Sequence, residues 1–180
     1  MSTSYLALLR GINVGGKNII KMDALRATLS ANPHIQNVRT YIQSGNVLFE
    51  SELKDTAQLA RLVQDTIVSH FAQPVGAAVF SKAEWQAVIG AAPESWGKNA
   101  AWKHNLLVMV GPYDMQRVTA AIGTLKPDIE ACFPGQGVLY QSISWKDFGK
   151  STGGKLASNP IYKHMTIRNF NTATKLLGLL

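Results

Sequence analysis

The sequence predicts an α+β protein in two parts, residues 1–81 and 82–180. Short apolar runs of strand length recur along the chain, and stretches with apolar residues at helical spacing separate them. Glycine, asparagine and proline punctuate the joins, and the order of elements is mixed rather than a strict alternation of strand and helix.

Ser4 to Arg10 is an apolar run that reads as a buried strand. After a glycine-rich loop, Met22, Leu25 and Leu29 recur as on one helix face, and Asn32-Pro33 stops that helix. Val38, Thr40 and Ile42 alternate with Arg39 and Tyr41, as in a half-buried strand. Ser44-Gly45-Asn46 is a tight turn, and Val47 to Phe49 is the return strand. Leu59, Leu62, Val63, Ile67, Val68 and Phe71 mark the apolar stripe of a long helix, ended by Pro74. Val75 to Phe80 is a further strand. The first half is therefore βαββαβ, the ferredoxin-like pattern.

The second half opens on a capping box, Ser81 to Glu84, with a helix through Ile89. Ala92 to Lys103 is irregular, and His104 to Val110 is a strand. Gly111-Pro112 turns, and Asp114 caps a helix to about Leu125. Asp128–Phe133 and Val138–Ser144 form a hairpin across Pro134-Gly135. The tail, Ser158 to Leu180, reads as two helical pieces, the last capped by Asn171. This half is βαββα with C-terminal helices.

The chain has 180 residues and an apolar content of 46%, enough for a substantial core. Its single cysteine, Cys132, excludes an intrachain disulfide and sits in an apolar run, as a buried inert thiol does. No apolar stretch approaches the ~20 residues of a membrane-spanning helix. The opening Met-Ser-Thr-Ser-Tyr lacks the basic and apolar regions of a signal peptide, so a cytoplasmic location with no membrane partner is expected.

The net charge of +7 is unevenly spread. Residues 10–39 carry Arg10, Lys17, Lys21, Arg26 and Arg39 against Asp23 alone, and residues 146–175 carry six cations against Asp147 alone. These segments hold two loops of the form G-x-x-x-x-G-K, Gly11 to Lys17 and Gly149 to Lys155. Glycines let successive backbone N–H groups converge, and a nearby lysine adds charge, so both loops suit an anion. In the βαββαβ order the end of the first strand lies beside the turn between the second and third. Arg10, Asn13, Gly15, Gly16, Lys17 and Asn18 then share an edge with Arg39, Ser44, Gly45 and Asn46. Lys155, Arg168 and Asn169 complete the candidate ligand-binding set. The same Gly, Asn and Ser residues are also what tight turns require for their backbone angles.

Other chemistries fit less well. Asn18 and Leu156 occupy the Ser/Thr position of a P-loop, and an antiparallel sheet is wrong for that fold. His34, His70, His104 and His164 have no ligand spacing, so no metal is implied. Asp128 and Glu130 read as an exposed charged strand face rather than paired acids. Trp96, Lys98, Trp102 and Lys103 interleave aromatics with charge, which suits stacking of single-stranded nucleic acid or, more simply, pinning of a loop. Tyr5 and Phe49 are at candidate stacking positions of an RRM sheet, but Ser44 to Ser51 does not match the corresponding motif.

Leu8 to Asn18, Lys21-Met22, Arg39 to Asn46 and Thr166 to Thr172 together resemble the bacterial domain-of-unknown-function family 1697. The resemblance spans nearly the whole chain. Ile167 and Phe170 depart from it, where a small polar residue and a tryptophan are expected. It implies a small cytoplasmic α+β protein and transfers no activity or catalytic residue. The expected function is binding of an anionic ligand at the loop edge: phosphate-bearing, a nucleotide or a nucleic acid. The alternatives are an enzyme on a small polar or phosphorylated substrate, with Lys17 or Arg10 stabilising developing negative charge, and a structural or partner-binding protein.

Overall fold

The computed structural model describes residues 2–111 and 113–180, so Pro112 of the expected turn lies outside the described residues. The chain is α+β, with two four-stranded antiparallel sheets. It divides into two units, Met1–Gln86 with Leu176–Leu180, and Ala87–Lys175.

The first unit runs β1 (Thr3–Arg10), α1 (Met22–Ser30), β2 (Gln36–Tyr41), β3 (Asn46–Ser51), α2 (Thr56–Phe71) and β4 (Gly76–Ser81), followed by α3 (Lys82–Gly90) at its boundary. The element order is the βαββαβ expected. The sheet order is β2-β3-β1-β4, so β1 is internal and bonded on both edges. Because β1 and β2 both run antiparallel to β3, their C-terminal ends emerge at the same sheet edge. Tyr5, Ala7 and Leu9 of β1 and Val47 and Phe49 of β3 share one core with Leu25 and Leu29 of α1 and Leu59, Val63 and Ile67 of α2. Tyr5 and Phe49 stack at 5.6 Å inside that core, which removes them from any nucleic-acid platform.

Asp55 caps α2 by accepting from the Ala57 and Gln58 N–H groups, and Ala72 in left-handed backbone ends the helix before Pro74. The buried stripe is narrower than the pattern implies. Val68 is 42% exposed, because one residue past Ile67 turns it about 100° away from the sheet. Ile42 is also a correction: it lies beyond β2 with φ +50° and is exposed in the turn.

The second unit contains β5 (Trp102–Met109), α4 (Met115–Ile122), β6 (Glu130–Pro134), β7 (Val138–Ser144), β8 (Met165–Asn169) and all but the last two residues of α5 (Phe170–Leu177). Its sheet order is β6-β7-β5-β8, so β5 takes the internal place that β1 takes in the first sheet. Strand β8 overturns the expectation of a wholly helical tail. Leu106 to Val108 of β5 are fully buried, and a buried strand must satisfy its backbone on both edges. Thr166 and Ile167, both β-branched, supply the second edge, with Leu107 opposite Ile167. Short 3-10 turns at Gly153–Ser158 and Pro160–His164 occupy the stretch before it.

Helix α4 opens on Asp114 as expected but ends at Ile122, where Gly123 leaves helical backbone at φ +82°. The Ser81–Glu84 capping box is formed, with Glu84 accepting from the Ser81 N–H at 2.7 Å and Ser81 Oγ accepting from the Glu84 N–H at 3.2 Å. Among the described residues, no helix is long and apolar enough to cross a membrane.

The narrow stripe of α2 sets a contrast. Leu59→Ala empties a fully buried site and is expected to cost about 3 kcal/mol, whereas Val68→Ala is expected to cost under about 0.5 kcal/mol. Urea unfolding of the two variants, with unchanged slope, measures both.

Candidate functional site

The first glycine loop is a projecting finger. Asn13 N–H bonds to Asn18 O at 3.0 Å and Lys17 N–H to Val14 O at 3.1 Å, so residues 13–18 close on themselves as a miniature hairpin. Gly15 and Gly16 form its two-residue tip, both at positive φ (59° and 73°), as a type I′ turn demands. A Cβ at either would meet nothing within 4 Å, so these glycines serve backbone angle alone. Val14 within the hairpin and Ile19 just after it are both exposed, at 66% and 67%.

The finger and the second turn meet. Leu9 N–H bonds to Gly45 O at 2.8 Å, and a Cβ on Gly45 would lie 2.8 Å from Leu9 Cβ. Asn13 Nδ2 donates to Gln43 O at 2.9 Å and to Ile20 O at 3.0 Å, while its Oδ1 accepts from Ile20 N–H at 2.8 Å. Asn13 therefore staples the root of the finger to the neighbouring turn. Asn18 Nδ2 donates to Gly11 O, and buried Asn46 donates to Tyr41 O and Ser44 Oγ. The amides of Asn13, Asn18 and Asn46 are thus spent on the backbone and on Ser44. Arg39 Nη2 donates to Leu179 O at 2.9 Å. The ammonium groups of Lys17 and Lys21 have no partner among the described residues, and Arg10 closes β1 at the same rim. Asp23, engaged by Arg26, is the only acidic residue before Glu50.

The second glycine loop folds differently. It wraps the chain's own carboxylate. Glu130 Oε1 accepts from the Thr152 N–H at 3.0 Å and the Lys126 N–H at 3.1 Å, and Oε2 accepts from the Gly153 N–H at 3.0 Å. Glu130 is 2% exposed, which corrects the exposed strand face expected of it, whereas Asp128 is exposed and lies ahead of the strand. Burial alone raises its pKa, but the N–H donors of Thr152, Gly153 and Lys126 with the Thr152 hydroxyl outweigh it, and the carboxyl lies below its ordinary 4.5. Here the glycines serve close approach: a Cβ on Gly154 would sit 1.9 Å from Phe148 O, and one on Gly153 2.5 Å from Gln141 Nε2. Lys155 lines a cleft of about 490 Å³ with Lys126 and Lys150. Lys126 Nζ donates to Lys150 O and Lys150 Nζ pairs with Asp147, leaving the Lys155 ammonium alone of the three without a partner among the described residues. Burial and the Glu130 charge push the Cys132 thiol up to about 11, so it is inert near neutral pH.

Arg168 and Asn169 have structural duties that local pattern does not reveal. Arg168 is buried in β8, where Nη1 donates to Thr166 Oγ1 and Ile167 O, both at 2.8 Å, and burial pushes its pKa down to about 10. Asn169 Oδ1 accepts from the Thr172 N–H at 2.8 Å, so it caps α5 in place of Asn171.

A second cleft, of about 440 Å³, lies in the second unit and holds Asn169 and Asn171 beside Lys98, Trp102, Lys103 and Trp145. Trp96, the buried member of the aromatic–lysine stretch, pins the loop instead: Nε1 donates to Asn105 O at 3.2 Å, and its ring meets Tyr140 and Phe170 edge-on. Trp145 belongs to no motif and is absent from the set that pattern alone nominates. The signal that marks it is the basic, aromatic run Trp145 to Lys150, which begins just after Ser144, the register partner of Trp102.

Residues 2–140 match a family model described as protein of unknown function (DUF1697). The chain belongs to the DUF1697 family. The motif resemblance drawn from its loops is thereby borne out. The solved structure of conserved bacterial protein SP0830 from Streptococcus pneumoniae is similar, with a TM-score of 0.85 and 29% identity over 99% of this chain and 98% of that one. No curated protein matches the chain.

Glu130→Gln keeps the shape and removes the charge from the N–H nest. Since the folded pKa lies below the ordinary 4.5, the carboxylate stabilises the fold above that pH, and the contribution is lost as pH falls through the lower folded value. Unfolding free energies of the two proteins should differ by roughly 2 kcal/mol near neutral pH and converge in acid. Parallel pH curves in chemical denaturation would refute this account of the loop.

Proposed function

We propose that this protein binds a phosphate-bearing ligand, with nucleic acid the leading form, along the rim of its first unit. The observation that carries the reading is the junction of the 10–18 and 43–46 loops into one rim, with Lys17 and Lys21 unpaired among the described residues. Phosphate contact needs cations that are not already neutralised, and a segment poor in acidic residues cancels little of their field. Asp23 is the only acid among residues 2–49, and Arg26 engages it.

The finger also has a suitable shape. A two-stranded ribbon is narrow enough to lie in a nucleic-acid groove. Its backbone does not form a phosphate cradle: two successive left-handed glycines make a turn, and the Lys17 N–H is used inside it. The rim therefore acts through side-chain charge, with exposed Val14 and Ile19 adding apolar contact. Asn13, Asn18 and Asn46 hold this shape rather than touch the ligand.

Charge-based binding has a definite signature. The logarithm of the affinity for a labelled oligonucleotide should fall linearly with the logarithm of salt concentration. Replacing both Lys17 and Lys21 by alanine should lower the slope by about two, since each lysine neutralises one phosphate. Fluorescence anisotropy over a salt series measures it. An unchanged slope, or no binding even at low salt, rules the proposal out.

A further inference from the structure

We infer that the cleft of the second unit between Trp145 and Asn171 is a nucleobase site: it takes an unpaired base with its phosphate, as a free nucleotide or as one unit of a single strand. The inference goes beyond the rim, which is in the other unit and acts chiefly through charge.

The cleft is about 440 Å³, within the range of small-molecule sites. Its walls combine the groups that a nucleotide needs. Trp145 follows the end of β7 and is 57% exposed, so much of its ring is open to a stacking partner. It is held in place at its root, where its N–H bonds to Ala101 O at 3.1 Å. Lys103 Nζ lies 5.6 Å from the Trp145 ring centroid and 4.8 Å from that of Phe148, which fixes a cation beside the stacking surface. Trp102 lines the same cleft. Large exposed aromatics are costly to leave in water, and Trp85 and Trp96 are accordingly in the interior.

Polar recognition groups face the cleft unspent. Asn169 uses only its Oδ1, on the Thr172 N–H, and its Nδ2 has no partner among the described residues. The Asn171 side chain has none among them either, and nor does the Lys98 ammonium. Amides pair with base edges through donor and acceptor together, and ammonium groups meet phosphate. No acidic residue is among the described residues lining the cleft, so nothing there repels an anion. Stack, edge and phosphate are thus each provided for. An apolar small molecule would leave two cations and two amides unmatched, and a bare phosphate would leave the ring unused.

Tryptophan fluorescence reads the site directly, because Trp102 and Trp145 are the two of the four tryptophans outside the interior. The full chain is titrated with a mononucleotide, a short oligothymidylate and inorganic phosphate. Quenching by the nucleotide or the strand, but not by phosphate, is expected. If the mononucleotide binds as tightly as the strand, the source is a free nucleotide; if only the strand binds, it is single-stranded nucleic acid. Trp145→Ala should weaken binding roughly 5- to 150-fold, the equivalent of about 1–3 kcal/mol for one base–aromatic stack, and Trp145→Phe should restore much of it. Neither variant should lower the melting temperature appreciably, given the exposure of the ring. Binding by the Lys17 and Lys21 alanine variant should be unchanged for the mononucleotide, which separates this site from the rim. Absence of quenching up to millimolar nucleotide, equal quenching by phosphate, or a Trp145→Ala affinity equal to wild type would overturn the inference.

Discussion

A buried β-strand must have its backbone satisfied on both edges, and this requirement organises each unit around one strand. In the first unit that strand is β1. Its pairing with β3 brings the 41–46 turn beside the 10–18 loop, and Leu9 N–H reaches Gly45 O as a continuation of the ladder. In the second unit it is β5, which pairs with β7 on one side and β8 on the other. The β8 pairing fixes where Asn169 ends the strand and caps α5, and so where Asn169 and Asn171 stand in the aromatic cleft.

The two sheets share the strand order with the first strand internal, yet the two glycine loops leave from different points, after β1 and after β7. The same written pattern therefore folds into unlike objects. Around Gly15 and Gly16 there is open space, and the chain turns tightly and projects. Around Gly153 and Gly154 there is none, and the absent Cβ atoms let backbone N–H groups close on Glu130. The affinity of such a loop for an anion is real in the second case, but the anion is internal. What remains for an external ligand is the charge of unpaired lysines and the groups that no internal bond consumes.

This distinction decides which polar residues are available for function. Asn13, Asn18, Asn46 and Arg168 are all free by residue type, and all are committed to backbone or side-chain partners in the fold. Lys17, Lys21 and Lys98 are not, among the described residues. Polar groups close to the core lose more by going unpaired than exposed ones do, so the fold claims them first. Long lysines at a rim keep their water and are left over.

Local pattern determined much by itself: the α+β class, the βαββαβ order, the capping residues Asp114 and Ser81, the α2 stripe through Leu59, Val63 and Ile67, and the family, carried by loop motifs. Each depends on residues close in sequence, whose spacing already encodes the backbone they need. Tertiary structure alone decided the rest. It turned Met165–Asn169 into a strand because β5 had an edge to fill, buried Glu130 because a distant loop offered N–H groups, and set Trp145 beside Lys103 across a ladder. Those choices rest on partners far apart in the chain, and no window of sequence contains both members of such a pair.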